Sequence, residues 1–248
     1  MFVCNTGRNQ RTDACGLYGR EQPRHHASMH AADSSSPTKV AEHLRDDEIH
    51  VWRLAYQHKH GRAPLQTLLA AYLGKPAEAL TFVDGEHGRP SLAAPDDAAF
   101  GFNWSHSGGE ALVAIGRGIT PGIDLERMRE RPRALQLAQR YFTTDEAAAL
   151  AAVPDPRRSI AFLHLWTAKE AVLKATGRGL AFGLHRLSFS RFDEPLALHR
   201  LDGDDADAWQ VHRLDLDSMF LDSTLIATLA WRGSPRSIRL CTLAAAQP

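Results

Sequence analysis

The chain has 248 residues, and its 29 Lys and Arg balance 29 Asp and Glu to a formal net charge of +0 at pH 7. That balance speaks against a broad electrostatic grip on nucleic acid or a membrane surface and leaves room only for local charged pockets. The length suits one large domain or two small ones, no apolar run approaches the ~20 residues that cross a bilayer, and the opening MFVCNTGRNQRTDACG lacks a secretory hydrophobic stretch.

Cys4, Cys15 and Cys241 are odd in number and lack metal-ligand spacing, so a reduced, cytoplasmic setting without zinc is expected. Residues 1–46 are rich in Arg, His, Ser, Ala and Asp without a sustained period. They read as a disordered or non-native extension. EIHVWRL is short and β-branched and reads as a strand, although its apolar residues do not alternate cleanly. Residues 65–73 read as a helix, with Pro64 near its start and Gly74 closing it. FVDGEHGRP carries turn chemistry around Gly85 and Gly88. FGFNWSHSGG and EALVAIGRG read as strand, turn and strand, with Ser105, His106 and Ser107 in the turn.

A second unit opens at TPGIDLERM, another short strand. RALQLAQRYF reads as a helix, and TTDEAAALAAV as a second one capped by Thr143 or Thr144 with Glu146 early in it. After PDPRR a long helix spans about 158–176. LSFSRF, WQVHRLDL and STLIATLAW then suggest strands of an antiparallel sheet. The interspersed pattern implies an α+β fold of two units, 47–118 and 119–246.

Three stretches could carry chemistry. In GIDLE, period-two alternation puts Asp124 and Glu126 on one side and Ile123 and Leu125 on the core side. Two carboxylates on one edge are hard oxygen ligands suited to Mg²⁺ with substrate phosphate, or else the solvated half of an edge strand. In WTAKEAVLKATGRGL, Phe162, Leu165, Trp166, Val172 and Leu173 form an apolar arc. Glu170 and Lys174 project together from its edge, as a surface ion pair or as part of a site. Lys169 falls inside the arc, where an ammonium must snorkel or find a partner. Ser105 and His106 could reach phosphate oxygens or form a hydrogen-bonded turn, and no GxSxG elbow supports a Ser nucleophile. His58, Lys59, His60 and Arg62 form a short basic cluster able to take an anion, and Arg89 sits in a turn.

In this order, FNWSHSGG, GIDLE and WTAKEAVLKATGRGL resemble the three diagnostic motifs of the 4′-phosphopantetheinyl transferases. The length resembles that of the surfactin-synthetase-activating class, which is a pseudodimer of two similar α/β units, each a small antiparallel sheet packed with helices. The resemblance implies transfer of the phosphopantetheine arm of coenzyme A to a serine of an apo acyl- or peptidyl-carrier protein, releasing 3′,5′-ADP. It implies Mg²⁺ held by Asp124, Glu126 and Glu170, and coenzyme A held by Arg62, Arg89, Ser105, His106 and Lys174. Glu170 is the first choice of base and Glu146 the second, with Lys169 orienting Glu170. A carrier would meet the arginines of ERMRERPRALQLAQR, and a monomer is expected. The chain runs from EIHVWRL to HKHGRAPL with less between them than the family normally carries. The alternative reading is therefore a non-catalytic carrier-protein or coenzyme A binding module weakened by that shortening. A metal-dependent phosphohydrolase is a third.

Overall fold

The computed structural model describes residues 29–33, 36–93, 99–189, 196–216 and 224–243. The fold is mixed α/β. A five-stranded sheet contains β1 (Met29–Asp33), β12 (Ser237–Thr242), β2 (Glu48–Ala55), β6 (Glu110–Arg117) and β5 (Phe100–Ser107), in that order. A three-stranded antiparallel sheet runs β10 (Trp209–Arg213), β11 (Leu225–Arg232), β7 (Gly122–Arg127). Two hairpins stand apart: β3 (Phe82–Asp84) with β4 (Pro90–Leu92), and β8 (Leu187–Phe189) with β9 (Leu198–Leu201). The helices are α1 (Pro37–Ala41), α2 (Ala63–Leu73), α3 (Ala134–Tyr141), α4 (Thr144–Ala152) and α5 (Asp155–Thr176).

Four layers result, because both sheets are apolar on both faces. Ile49, Val51, Leu112 and Ala114 of the large sheet meet Ile123, Leu125, Ala227, Leu229 and Trp231 of the small one in a core between the sheets. Trp52, Leu54, Val113 and Ile115 face the other way, onto Leu65, Leu68 and Leu69 of α2. Ile226 and Ala230 turn outward onto Leu165, Ala168, Val172 and Leu173 of α5. Strands covered on both faces read as continuous apolar runs, which is why EIHVWRL shows no clean alternation. Gly122 lets α5 lie against β7, since a Cβ there would stand 2.0 Å from the Ala171 carbonyl oxygen. Gly74 and Gly177 end α2 and α5 in the left-handed conformation, at φ 61 and 70.

Three expectations are corrected. Residues 1–46 include ordered elements, β1 and α1, while residues 1–28, with Cys4 and Cys15, lie outside the described residues. The closing strand β12 leaves the second unit and pairs in parallel with β2 and β1, so the division at 118/119 does not hold for residues 237–242 and the large sheet is not purely antiparallel. There its alternate Ile238 and Leu240 reach the inter-sheet core. Ser105, His106 and Ser107 lie in β5, paired to Leu112, Ala111 and Glu110, and the turn is confined to Gly108 and Gly109. Both glycines have positive φ, 62 and 90, so the reversal needs no other residue. Among the described residues no helix is long and apolar enough to cross a membrane.

Candidate active site

Asp124 and Glu126 share the face of β7 that looks toward α5, and Ile123 and Leu125 fill the inter-sheet core as the alternation predicts. Asp124 is buried rather than solvent-facing. Its Oδ1 accepts hydrogen bonds from Lys174 Nζ at 2.7 Å and Ser105 Oγ at 2.9 Å. Lys174 Nζ also donates to Ser105 Oγ at 3.0 Å and to the Ile123 carbonyl at 3.1 Å. Glu126, half-buried, accepts from Arg131 Nη2 at 3.0 Å. Glu170 lies one turn before Lys174 on α5. Burial, then Asp124, push its carboxyl up to about 7, Glu126 adds to the rise, and Lys174 opposes it. Glu126 is likewise raised, by burial first, with Asp124 adding and Arg131 opposing. Three carboxylates from two elements therefore share one electrostatic environment. The bland reading of an exposed Glu–Lys surface pair fails for α5.

The donor set suits a divalent cation. It consists of hard carboxylate oxygens, and Asp124 Oδ2 is buried with no hydrogen-bond partner, which is costly unless a cation or donor arrives there. The set is not a closed cage. Among the described residues no group of three or more His, Cys, Asp or Glu is arranged to hold a metal, and Lys174 and Arg131 already neutralise Asp124 and Glu126.

The remaining candidates divide. Ser105 is buried and its hydroxyl is fully used: it donates to Asp124 and accepts from Lys174 and, at 3.2 Å, from the Leu125 amide. Contact with coenzyme A would require it to give up one of these bonds. His106 faces the opposite side of β5, stacked on Tyr56 at 4.5 Å and edge-on to His58 at 4.8 Å. Burial, His58 and Lys174 hold it below the ordinary imidazole value. Arg89 is committed inside the protein, donating to the Lys174, Phe102 and Pro121 carbonyls. It staples the β3–β4 hairpin to β5 and to the end of α5, which corrects its expected role as a ligand contact. Arg62 precedes α2 and pairs with Asp84 of the same hairpin, with its guanidinium 5.8 Å from the Phe82 ring centre. A cavity of about 790 Å³, lined by Arg89, Phe100, Phe102, Arg178, Trp209 and Arg232 among others, contains none of the carboxylates.

Glu146 and Lys169 form a separate buried unit. Glu146 Oε2 accepts from the Thr143 amide (3.0 Å) and hydroxyl (2.9 Å) and pairs with Lys169 Nζ at 2.7 Å, while Oε1 accepts the Phe189 amide at 3.0 Å. Lys169 completes its three donors on the Leu184 and Leu187 carbonyls. Glu146 accepts four bonds within the protein, so a role as base would require giving some of them up. Lys169 points to Glu146, which corrects the expectation that it orients Glu170, and the pair ties α4, α5 and residues 184–189 together. Asn103 was missed. Its Oδ1 accepts the Ile123 amide at 2.8 Å, and the signal was a polar residue in step with Ser105 and Ser107.

Residues 120–230 match the 4′-phosphopantetheinyl transferase superfamily. The chain is 36% identical over 152 residues to a putative 4′-phosphopantetheinyl transferase of Synechocystis, covering 60% of this chain and 61% of that protein. It is 33% identical over 174 residues to the 4′-phosphopantetheinyl transferase HetI of Nostoc, covering 69% and 71%. It is 34% identical over 109 residues to the 4′-phosphopantetheinyl transferase Sfp of Bacillus subtilis, covering 44% and 46%. The matched part thus spans about three fifths of the Synechocystis protein and less than half of Sfp. With the carboxylates and lysine of the family's ordered motifs brought together on β7 and α5, the chain belongs to the 4′-phosphopantetheinyl transferase superfamily, in its Sfp-type class.

Proposed function

We propose that the chain transfers the 4′-phosphopantetheine arm from coenzyme A to a serine of an apo acyl- or peptidyl-carrier protein, giving holo-carrier and 3′,5′-ADP. The observation that carries this reading is the meeting of Asp124, Glu126 and Glu170 with Lys174 between β7 and α5, in a chain of that family. Asp124, Glu126 and Glu170 would hold Mg²⁺. When bound, it would neutralise and orient the diphosphate oxygens.

The chain's own groups supply the rest. The serine oxygen forms a bond to the phosphorus of the pantetheine phosphate as the phosphoanhydride bond breaks, and the electron pair leaves with 3′,5′-ADP. Glu170, which lies with Asp124, Glu126 and Lys174 between β7 and α5, is the first choice to take the serine proton, directly or through a water. Lys174 offsets charge on the phosphate oxygens as the bond breaks. All three of its donors are used within the protein, so contact with substrate requires giving up one of them. His106, on the other face of β5, would offer a hydrogen bond to a coenzyme A phosphate.

The pseudodimer belongs to the same proposal. It is supported by a repeated order: strand, helix, hairpin, strand, strand, as β2, α2, β3–β4, β5, β6 and, with α3 and α4 inserted before α5, as β7, α5, β8–β9, β10, β11. In both units the three sheet strands are ordered first, third, second. One chain then supplies both sides of the site, which supports a monomer. The carrier would dock by an acidic helix on residues 127–140. There Met128, Arg129 and Arg133 are exposed, as is Tyr141 just beyond.

Incubation of an apo-carrier with coenzyme A and Mg²⁺, read by mass spectrometry, tests the reading. Addition of one phosphopantetheine to the carrier is expected. Carrier binding without mass gain, or coenzyme A cleavage without carrier, contradicts it.

A further inference from the structure

β5 and β7 lie side by side as the edge strands of different sheets, and they are not partners in either ladder. Alternate side chains of β5 make the join. Asn103 Oδ1 accepts the Ile123 amide at 2.8 Å, Ser105 Oγ the Leu125 amide at 3.2 Å, and Ser107 Oγ the Arg127 amide at 3.1 Å. Three rungs at every second residue on both strands match the strand period, in which successive side chains and amides point opposite ways. Asn103, Ser105, Ile123 and Leu125 are buried, so water does not replace the first two acceptors. A buried amide left without one is strongly disfavoured.

The opposite edge of β7 is held by its ladder with β11, which fixes the strand within its own sheet. The rungs fix that sheet against β5. A slip of one residue between β5 and β7 would set carbonyls against the side-chain acceptors and turn Asp124 and Glu126 away from α5. Asn103 acts through the backbone of Ile123, one residue before Asp124. Ser107 acts through Arg127, one residue after Glu126, and its hydroxyl also lies 3.5 Å from Glu126 Oε2.

We propose that Asn103 and Ser107 are positioning residues: with Ser105 they form a three-rung stencil that sets the register of β7 against β5 and holds Asp124 and Glu126 opposite Glu170. The proposal rests on the reading of these carboxylates as a cation site. The FNWSHS stretch thereby has two jobs on two faces. His106 looks outward to ligand, and Asn103, Ser105 and Ser107 look inward to the strand that carries the carboxylates.

The test uses the full chain, with Mn²⁺ alone as the probe read by electron paramagnetic resonance, and amide exchange of the metal-free protein read by NMR. Asn103→Leu and Ser107→Ala should speed exchange of the Ile123 and Arg127 amides respectively. Each should weaken Mn²⁺ binding by about 10–100-fold with unchanged far-UV circular dichroism. Asn103→Asp keeps an acceptor oxygen in place and should restore both. Wild-type exchange and Mn²⁺ binding in the folded Asn103→Leu and Ser107→Ala variants would overturn the proposal, as would an equal loss in Asn103→Asp. Should Asn103→Leu not fold, Ser107→Ala at the half-buried end decides. If the wild-type chain takes no Mn²⁺, or if binding survives Asp124→Ala, the cation reading fails instead, and the exchange rates still decide whether the rungs set the register.

Discussion

At the residue scale, two lysines five positions apart on α5 have opposite assignments. Lys174 faces Asp124 and Ser105 at the candidate site, whereas Lys169 is fully buried on Glu146 and two carbonyls. Lys174→Ala should lower transfer by roughly 10²–10³-fold if the ammonium offsets developing charge, with the folded state retained. An unchanged rate in a carrier-loading assay would return it to a structural pair. Lys169→Met should instead act on stability. It leaves the Glu146 carboxylate buried beside a lost partner and should cost about 3–5 kcal/mol in urea unfolding. A loss below about 1 kcal/mol would contradict the buried-pair account. The sequence showed that Lys169 sat in an apolar arc and needed a partner. It did not show that the partner was Glu146, because that contact depends on how α4 and residues 184–189 pack on α5, and no local pattern encodes it.

At the element scale, the close approach of α5 to β7 brings Glu170 toward Asp124. Gly122 permits it, and the helix backbone would have to retreat from any side chain there. Gly122→Ala should therefore impair both stability and Mn²⁺ binding, while a glycine with open space, such as Gly74, does not couple to the site. Equal binding in Gly122→Ala and wild type would show that the approach is looser than the structure has it. Strand and helix positions were largely legible from period and from capping residues: α2 closes at Gly74, and Thr143 caps α4 with Glu146 completing the box. The side-chain rungs from β5 were less so. Ser105 and Ser107 look like turn chemistry beside a glycine pair, and Asn103, in step with them, has no evident partner until β7 is known to lie against β5.

At the scale of the whole molecule, the placement of the strand β12 was hidden. β12 joins the first sheet in parallel with a strand nearly two hundred residues earlier, a long-range pairing that composition does not announce. The fold also carries a pH dependence. His164 is pushed down to about 4 and His212 below its ordinary 6.5, in both cases chiefly by burial. Between about 6.5 and 4 the unfolded chain binds a proton at His164 that the folded chain refuses, so the unfolded state gains as pH falls through that window, and His212 acts in the same direction. Their contribution to stability is complete above pH about 6.5 and is lost on acidification. His164→Gln should flatten that slope in urea melts at pH about 7.5 and about 5, and an unaltered slope would remove His164 from the account.

The most direct measurement is anomalous diffraction from crystals of the chain grown with Mn²⁺ and coenzyme A. The account predicts a single manganese peak among the Asp124, Glu126 and Glu170 carboxylates, in contact with the coenzyme A diphosphate, and its disappearance in Asp124→Ala. Coenzyme A bound with manganese elsewhere, or with its diphosphate remote from β7 and α5, would contradict it.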